Sequence, residues 1–129
     1  MRLLVDTNVL IWWFLDAPQI PGPIERLIDD PRTIVCVSAA SAWEICTKVR
    51  IGKLDAVRAL SDDLEGFVRN WHFTPLPITI AHGQLAGRLP GPHRDPFDRM
   101  LAAQAILDGL KLVTNDPAFT HFADVETLW

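Results

Sequence analysis

"LLVDTNVLIWWFL", residues 3–15, passes from an apolar strand into an apolar helix, with Asp6 and Asn8 set at the junction. A strand buried on both faces is apolar throughout. A carboxylate at its end therefore has either a capping task or a chemical one. The same strand-then-helix order recurs further along. "TIVCVS" (33–38) is β-branched and apolar, a second buried strand. "SAASAWEICTKVRIGKL" (38–54) opens on serine caps and carries Ala42, Ile45 and Val49 on one helical face. "PFDRMLAAQAILDGL" (96–110) is helical up to Gly109 and leads into the strand "KLVT" (111–114). Further helices are expected in "PIERLIDD" (23–30), "SDDLEGFVRNW" (61–71) and "TIAHGQLAGRL" (79–89). "FTPLPI" (73–78) is extended, "NDPAF" (115–119) is a turn into a helical segment, and "ADVETLW" (123–129) is a tail. Apolar strands alternating with helices predict an α/β fold, a parallel sheet covered on both faces. The proline-rich breaks "DAPQIPGP" (16–23) and "PGPHRDP" (90–96) are loops within one domain, residues 1–129, because neither half holds a core alone.

The bulk composition fits that picture. With 129 residues, 49% hydrophobic and 22% charged, the chain is long enough to bury a real core. A net charge of −4 argues against nonspecific nucleic-acid binding but leaves room for a local basic rim. Asp6 breaks the apolar stretch that follows Arg2, so no secretory signal is read. "VLIWWFL" (9–15) is too short to span a bilayer. The cysteines, Cys36 and Cys46, have no metal-ligand spacing, and Cys36 reads as a small buried thiol. The expectation is a cytoplasmic protein without membrane contact.

Topology gathers the acids. In a parallel sheet, a helix leaving a strand starts at the carboxyl edge. A helix leading into a strand also has its N-terminus there, and ligands bind at that edge. Asp6 and Asp116 follow two strands, Glu44 lies in the early turns of the helix after "TIVCVS", and Asp98 lies in the first turn of the helix before "KLVT". Asp95 is close behind. Each has an ordinary explanation too: Asp6, Asp95 and Asp116 as helix caps, Glu44 as the partner of Lys48 one turn on. Convergence is what favours chemistry. Crowded carboxylates resist joint ionisation, and a hard divalent cation, Mg²⁺ or Mn²⁺, resolves the conflict where the ligands are oxygens. Such a site activates water for in-line attack on a phosphodiester, so a metal-dependent nuclease is expected.

The chain resembles the PIN-domain ribonucleases, in particular VapC-type toxins of bacterial toxin–antitoxin systems. The carriers are "LLVDTNVLIW", "SAASAWEI", "HRDPFDRMLAAQA" and "LVTNDPAF", in that order along the whole length. The resemblance implies a three-layer α/β/α fold with four to five parallel strands. It implies Asp6, Glu44, Asp98 and Asp116 as the quartet around Mg²⁺, with Thr7 and Asn8 orienting the first carboxylate and Thr114 as a hydroxyl donor. Asp95 is an additional acid of the "DPFD" subgroup. RNA as substrate, a homodimer and a neutralising antitoxin are implied as well. Asn115 departs from the basic residue that many relatives carry before the last acid.

Lys48, Arg50, Lys53, Arg94 and Arg99 are candidates for a basic RNA rim, against ordinary surface solubility. Trp12, Trp13 and Phe14 cannot all enter one core, and an exposed share of them marks a dimer or antitoxin surface. His93 reads as a loop histidine; His72, His82 and His121 are scattered and suggest no triad. Two rivals remain. A haloacid dehalogenase-type phosphatase wants a proton-donating acid two residues after the first Asp, where this chain has Asn8. A catalytically silent PIN-fold binding module would be expected to lose acids, and this chain keeps all four.

Overall fold

The computed structural model describes residues 1–129. Five strands form one sheet: β1 (Arg2–Val5), β2 (Ile34–Ser38), β3 (Thr74–Leu76), β4 (Lys111–Val113) and β5 (Thr127–Leu128). The helices are α1 (Thr7–Leu15), α2 (Gly22–Asp29), α3 (Ala39–Arg50), α4 (Arg58–Asp62), α5 (Leu64–Asn70), α6 (Ile80–Arg88) and α7 (Pro96–Asp108). Short 3-10 turns cover Asp55–Val57 and Pro117–His121. The strand order is β3-β2-β1-β4-β5, and every pairing is parallel.

Alternation along the strands builds two cores. Leu3, Val5, Val35, Val37 and Val113 face one way, against Val9 and Leu10 of α1, Ile24 and Ile28 of α2, and Leu60, Leu64 and Val68 of α4 and α5. Leu4, Cys36 and Leu112 face the other way, against Leu101, Ala102 and Ala105 of α7 and the rings of Phe119 and Phe122. Past their first residues, the central strands β1, β2 and β4 are buried on both faces, which is why they carry no polar stripe. Helix α3 contributes to both cores, Ile45 and Val49 to the first and Ala40 to the second. The three-layer arrangement agrees with the sequence reading.

The chain ends of α7 follow local rules. Asp95 caps its start, Pro96 occupies the first turn, and Gly109 closes it in the left-handed region at φ 64°. Two segments depart from expectation. "SDDLEGFVRNW" splits into α4 and α5, broken at Asp63, whose side chain caps Gly66 N–H instead of continuing a helix. The "ADVETLW" tail is not loose: Thr127 and Leu128 pair with Leu112 and Val113 as β5, and Trp129 packs on Trp12 with ring centres 5.9 Å apart. No helix is long and apolar enough to cross a membrane.

Candidate active site

Strand order creates a crevice. After β1 the chain winds to β2 and β3 on one side, while β4 and β5 lie on the other. The segments leaving β1 and β4 therefore diverge at neighbouring strand ends, the point where α/β sheets bind ligands. Asp6 leaves β1 and Thr114 leaves β4. Asp6 N–H donates to Val113 C=O (3.0 Å), and Asp6 C=O accepts from Leu10 N–H (3.0 Å). The residue stands at the N-cap position of α1, yet its carboxylate makes no cap bond. It is left for other work while only 4% exposed. Thr114 Oγ1 donates to Asp6 Oδ2 at 2.7 Å, and Thr114 Oγ1 in turn accepts from Asp116 N–H at 3.0 Å. One relay thus connects both strand ends.

Glu44 arrives on α3, whose start is fixed by Ser38 Oγ accepting from Ala40 N–H. The hydroxyls of Thr7 and Ser41 share a hydrogen bond of 2.9 Å, which ties α1 to α3 and so Asp6 to Glu44. Glu44 is 5% exposed. Its Oε2 accepts from Lys48 Nζ, while its Oε1 is buried with no hydrogen-bond partner. Asp98 Oδ2 lies 2.9 Å from His93 Nε2, and His93 is held edge-on by the Phe122 ring. Asp95 Oδ1 accepts from Phe97 N–H and Asp98 N–H, and Asp116 Oδ1 accepts from Ala118 N–H.

The electrostatics report the gathering. Burial pushes the Asp6 carboxyl up; the Thr114 hydrogen bond opposes this, and the charges of Glu44 and Asp116 add to it. Burial also lifts Asp98, to about 6, against the bond from His93 and with repulsion from Asp95 and Asp6. The carboxylates of four separate segments feel one another at this edge. No three acidic, histidine or cysteine side chains stand grouped closely enough to hold a metal ion as they are. Each is engaged by another partner: Lys48 on Glu44, His93 on Asp98, and backbone N–H groups on Asp95 and Asp116. The donor set still suits a hard divalent cation, since it is all carboxylate oxygen and includes the orphaned Glu44 Oε1.

A pH dependence follows. With Asp6 raised and Asp98 near 6, against 3.8 for a free aspartate, the folded chain holds more protons than the unfolded one between about pH 4 and 6. Stability contributed by these groups therefore rises as pH falls through that window. The Asp30–Arg32 ion pair, which holds Asp30 at about 2, is lost only at lower pH. Protein stripped of metal should show a higher Tm at about pH 5 than at about pH 7, and the opposite order would contradict the burial of these two carboxyls.

Several residues stand differently from the sequence expectation. Thr7 does not orient Asp6 through its hydroxyl, which pairs with Ser41. Asn8 is exposed on α1 and does not contact Asp6. Of the cation rim, Lys48 is bound to Glu44. Arg99 points inward and donates to the main-chain carbonyls of Ala86 (2.8 Å), His93 (2.8 Å) and Leu89. Arg50, Lys53 and Arg94 are exposed. Trp12, Trp13 and Phe14 are not an open patch: each is half-buried against Trp129, Phe73 and Phe67 respectively. His93 is no bystander, since it touches Asp98. Its signal in the sequence is the run "HRDPFD", which puts an imidazole in the loop entering that helix. Ser41, one turn before Glu44, carries no comparable signal.

The sequence matches the family model of the PIN domain over residues 3–125. No curated protein matches it. In fold the chain is similar to VapBC2 from Rickettsia felis, solved bound to a promoter DNA fragment, with TM-score 0.72, 17% identity, and coverage of 99% of this chain and 98% of that one. It is similar to FitAcB from Neisseria gonorrhoeae, with TM-score 0.68, 23% identity, and coverage of 100% and 97%. DNA-bound VapBC from Salmonella typhimurium gives TM-score 0.72, 19% identity, and coverage of 99% and 97%.

Proposed function

The chain belongs to the PIN-domain family, and from that premise we propose that it is a divalent-metal-dependent endoribonuclease, the toxin of a toxin–antitoxin pair. The observation that supports this reading is that Asp6 senses the charges of Glu44 and Asp116, and Asp98 that of Asp6, near the crevice between β1 and β4, with Asp6 and Asp98 both pushed toward their protonated forms and Glu44 Oε1 left without a partner. These four carboxylates would hold Mg²⁺ or Mn²⁺. When bound, the cation supplies the charge that activates water and steadies in-line attack on a phosphodiester. The chain's own groups prepare the site. Thr114 fixes Asp6, the Thr7–Ser41 bond sets α3 and hence Glu44 against α1, and His93 aims Asp98.

The antitoxin would lie along α1 and α2. There a cavity of about 300 Å³ is lined by Trp12, Trp13, Asp16, Ile20, Glu25 and Asp29. Aromatic walls with an acidic rim suit a segment that carries an apolar anchor and basic side chains. The VapBC and FitAcB assemblies that share this fold support the search for such a partner. A homodimer is the assembly this reading implies.

The test is metal linkage. Mg²⁺ at about a hundredfold excess over its Kd should stabilise the stripped protein by roughly 2.7 kcal/mol, and excess chelator should stop RNA cleavage. Undiminished cleavage in chelator overturns the reading. A second measurement separates the two acids of α7. Asp95 is occupied with the N–H groups of Phe97 and Asp98, so Asp95→Ala should cost about 1 kcal/mol and keep part of the cleavage. Asp98→Asn should lose cleavage with little change in Tm. Melting curves and single-turnover cleavage decide it; a stable but dead Asp95→Ala would reverse the assignment.

A further inference from the structure

We propose that Lys48 is a resident counter-cation of the acidic crevice, which a divalent ion must displace from Glu44 before the site is loaded; this rests on the metal-dependent reading and deepens it by naming what regulates that site. The two residues stand one turn apart on α3. On an exposed helix face that spacing gives an ion pair of little consequence. This pair is of another kind, because the Glu44 side chain is only 7% exposed. Lys48 Nζ lies 2.5 Å from Glu44 Oε2, while Glu44 Oε1 is buried with no hydrogen-bond partner. Lys48 is thus the one partner that this buried carboxylate has. A buried carboxylate left half-satisfied is costly, and it attracts any cation that can reach it.

Lys48 answers to more than Glu44. Burial opposes its charge, but the hydrogen bond from Glu44 and the charges of Glu44, Asp95 and Asp98 favour it. One lysine therefore offsets acids of both α3 and α7, which is the electrostatic part of what a divalent cation would do there. The substitution is incomplete. An ammonium carries one charge and a short reach, so Glu44 Oε1 stays open. A hard divalent ion brings two charges and takes several oxygen ligands. The two cations cannot share Glu44 without repelling each other. Lysine is suited to yielding, since its charge sits on a flexible four-carbon stem. With its side chain 39% exposed, Lys48 can swing to solvent without moving α3. The consequence is a threshold. At low divalent concentration Lys48 holds Glu44 and keeps the crevice neutralised but unloaded. Above the threshold the metal takes Glu44 and Lys48 is released.

The experiment strips the full chain of metal and titrates it with Mg²⁺ at fixed ionic strength, reading affinity by calorimetry and by the Mg²⁺-induced rise in Tm. Lys48→Gln should bind Mg²⁺ roughly tenfold more tightly than the parent, because a competing charge is gone. Lys48→Arg keeps the charge and should stay within about threefold of the parent. Without metal, Lys48→Gln should melt below the parent, and saturating Mg²⁺ should close that gap. Parental Mg²⁺ affinity in Lys48→Gln overturns the proposal, since Lys48 is then an ordinary surface partner. Weaker affinity also overturns it, since Lys48 then holds Glu44 in place for the metal. A second measurement needs no substitution. Pairing with a carboxylate keeps an amine protonated and unreactive, so Mg²⁺ should speed acetylation of Lys48 in the parent by about threefold or more. Exposed Lys53 is the internal reference, and peptide mass reads both. Unchanged relative labelling overturns the proposal. Each of these failures, in a parent that binds Mg²⁺, leaves the metal-dependent reading standing. A parent that binds no Mg²⁺ overturns that reading and the role of Lys48 with it.

Discussion

Asp6→Asn is expected to yield a folded protein that no longer cleaves RNA. The amide keeps the shape of the side chain, and its oxygen still accepts from Thr114 Oγ1, so the relay across the β1–β4 crevice survives. What disappears is one negative charge from the centre of the site. In the metal-free fold that charge is a burden: burial, Glu44 and Asp116 all disfavour it. Stability should therefore hold or rise slightly on substitution. Removing an outer partner of a metal ligand costs about 10–100-fold in metal affinity or activity. Loss of the carboxylate itself should exceed that, at roughly a hundredfold or more in cleavage. The Mg²⁺-induced rise in Tm should shrink in parallel. Circular dichroism and a melting curve establish the fold, and a cleavage assay reads the outcome. A folded Asp6→Asn variant that cleaves at the parental rate would remove Asp6 from the site.

Arg99→Lys is expected to destabilise the protein nearly as much as Arg99→Ala, by roughly 3 kcal/mol, which for a chain of this size lowers Tm by about 10 °C. The guanidinium donates to three carbonyls, Ala86 and Leu89 at the end of α6 and His93 in the following loop. It closes the carbonyl end of α6 and pins the loop that delivers His93 to Asp98. A lysine ammonium is a point charge and cannot reproduce the planar fork that reaches all three acceptors. Loosening the loop should also weaken the His93–Asp98 contact and reduce cleavage. The alternative role, a phosphate contact on a basic rim, predicts something else: lysine would largely substitute, and Tm would not move. An unchanged melting temperature in Arg99→Lys would show that the three carbonyl bonds contribute little.

The fold was legible where it depends on neighbours in sequence. Alternating Leu3, Leu4 and Val5 declare a strand with two dry faces, and "DPFD" followed by an apolar helical stretch and Gly109 declares α7 and both its ends. These signals are local because strand alternation, helix periodicity and capping each involve residues a few positions apart. β5 leaves no mark in the sequence, because a two-residue strand has no periodicity; it exists only through Leu112 and Val113 beside it. The side-chain direction of Arg99 is equally invisible in the sequence, since its acceptors are carbonyls of another helix and a loop.

For the candidate site, the sequence by itself determined that Asp6, Glu44, Asp98 and Asp116 belong to the carboxyl edge of a parallel sheet. Chain direction in strands and their flanking helices is enough for that. Only the tertiary structure decided that β1 neighbours β4, which sets Thr114 against Asp6 across 108 positions of sequence. It also decided that Thr7 bonds Ser41, that His93 faces Asp98, and that Trp12 rests on Trp129. Strand order is selected by which apolar faces bury best over the entire sheet. That is a sum over many distant contacts, and no short stretch of sequence carries it.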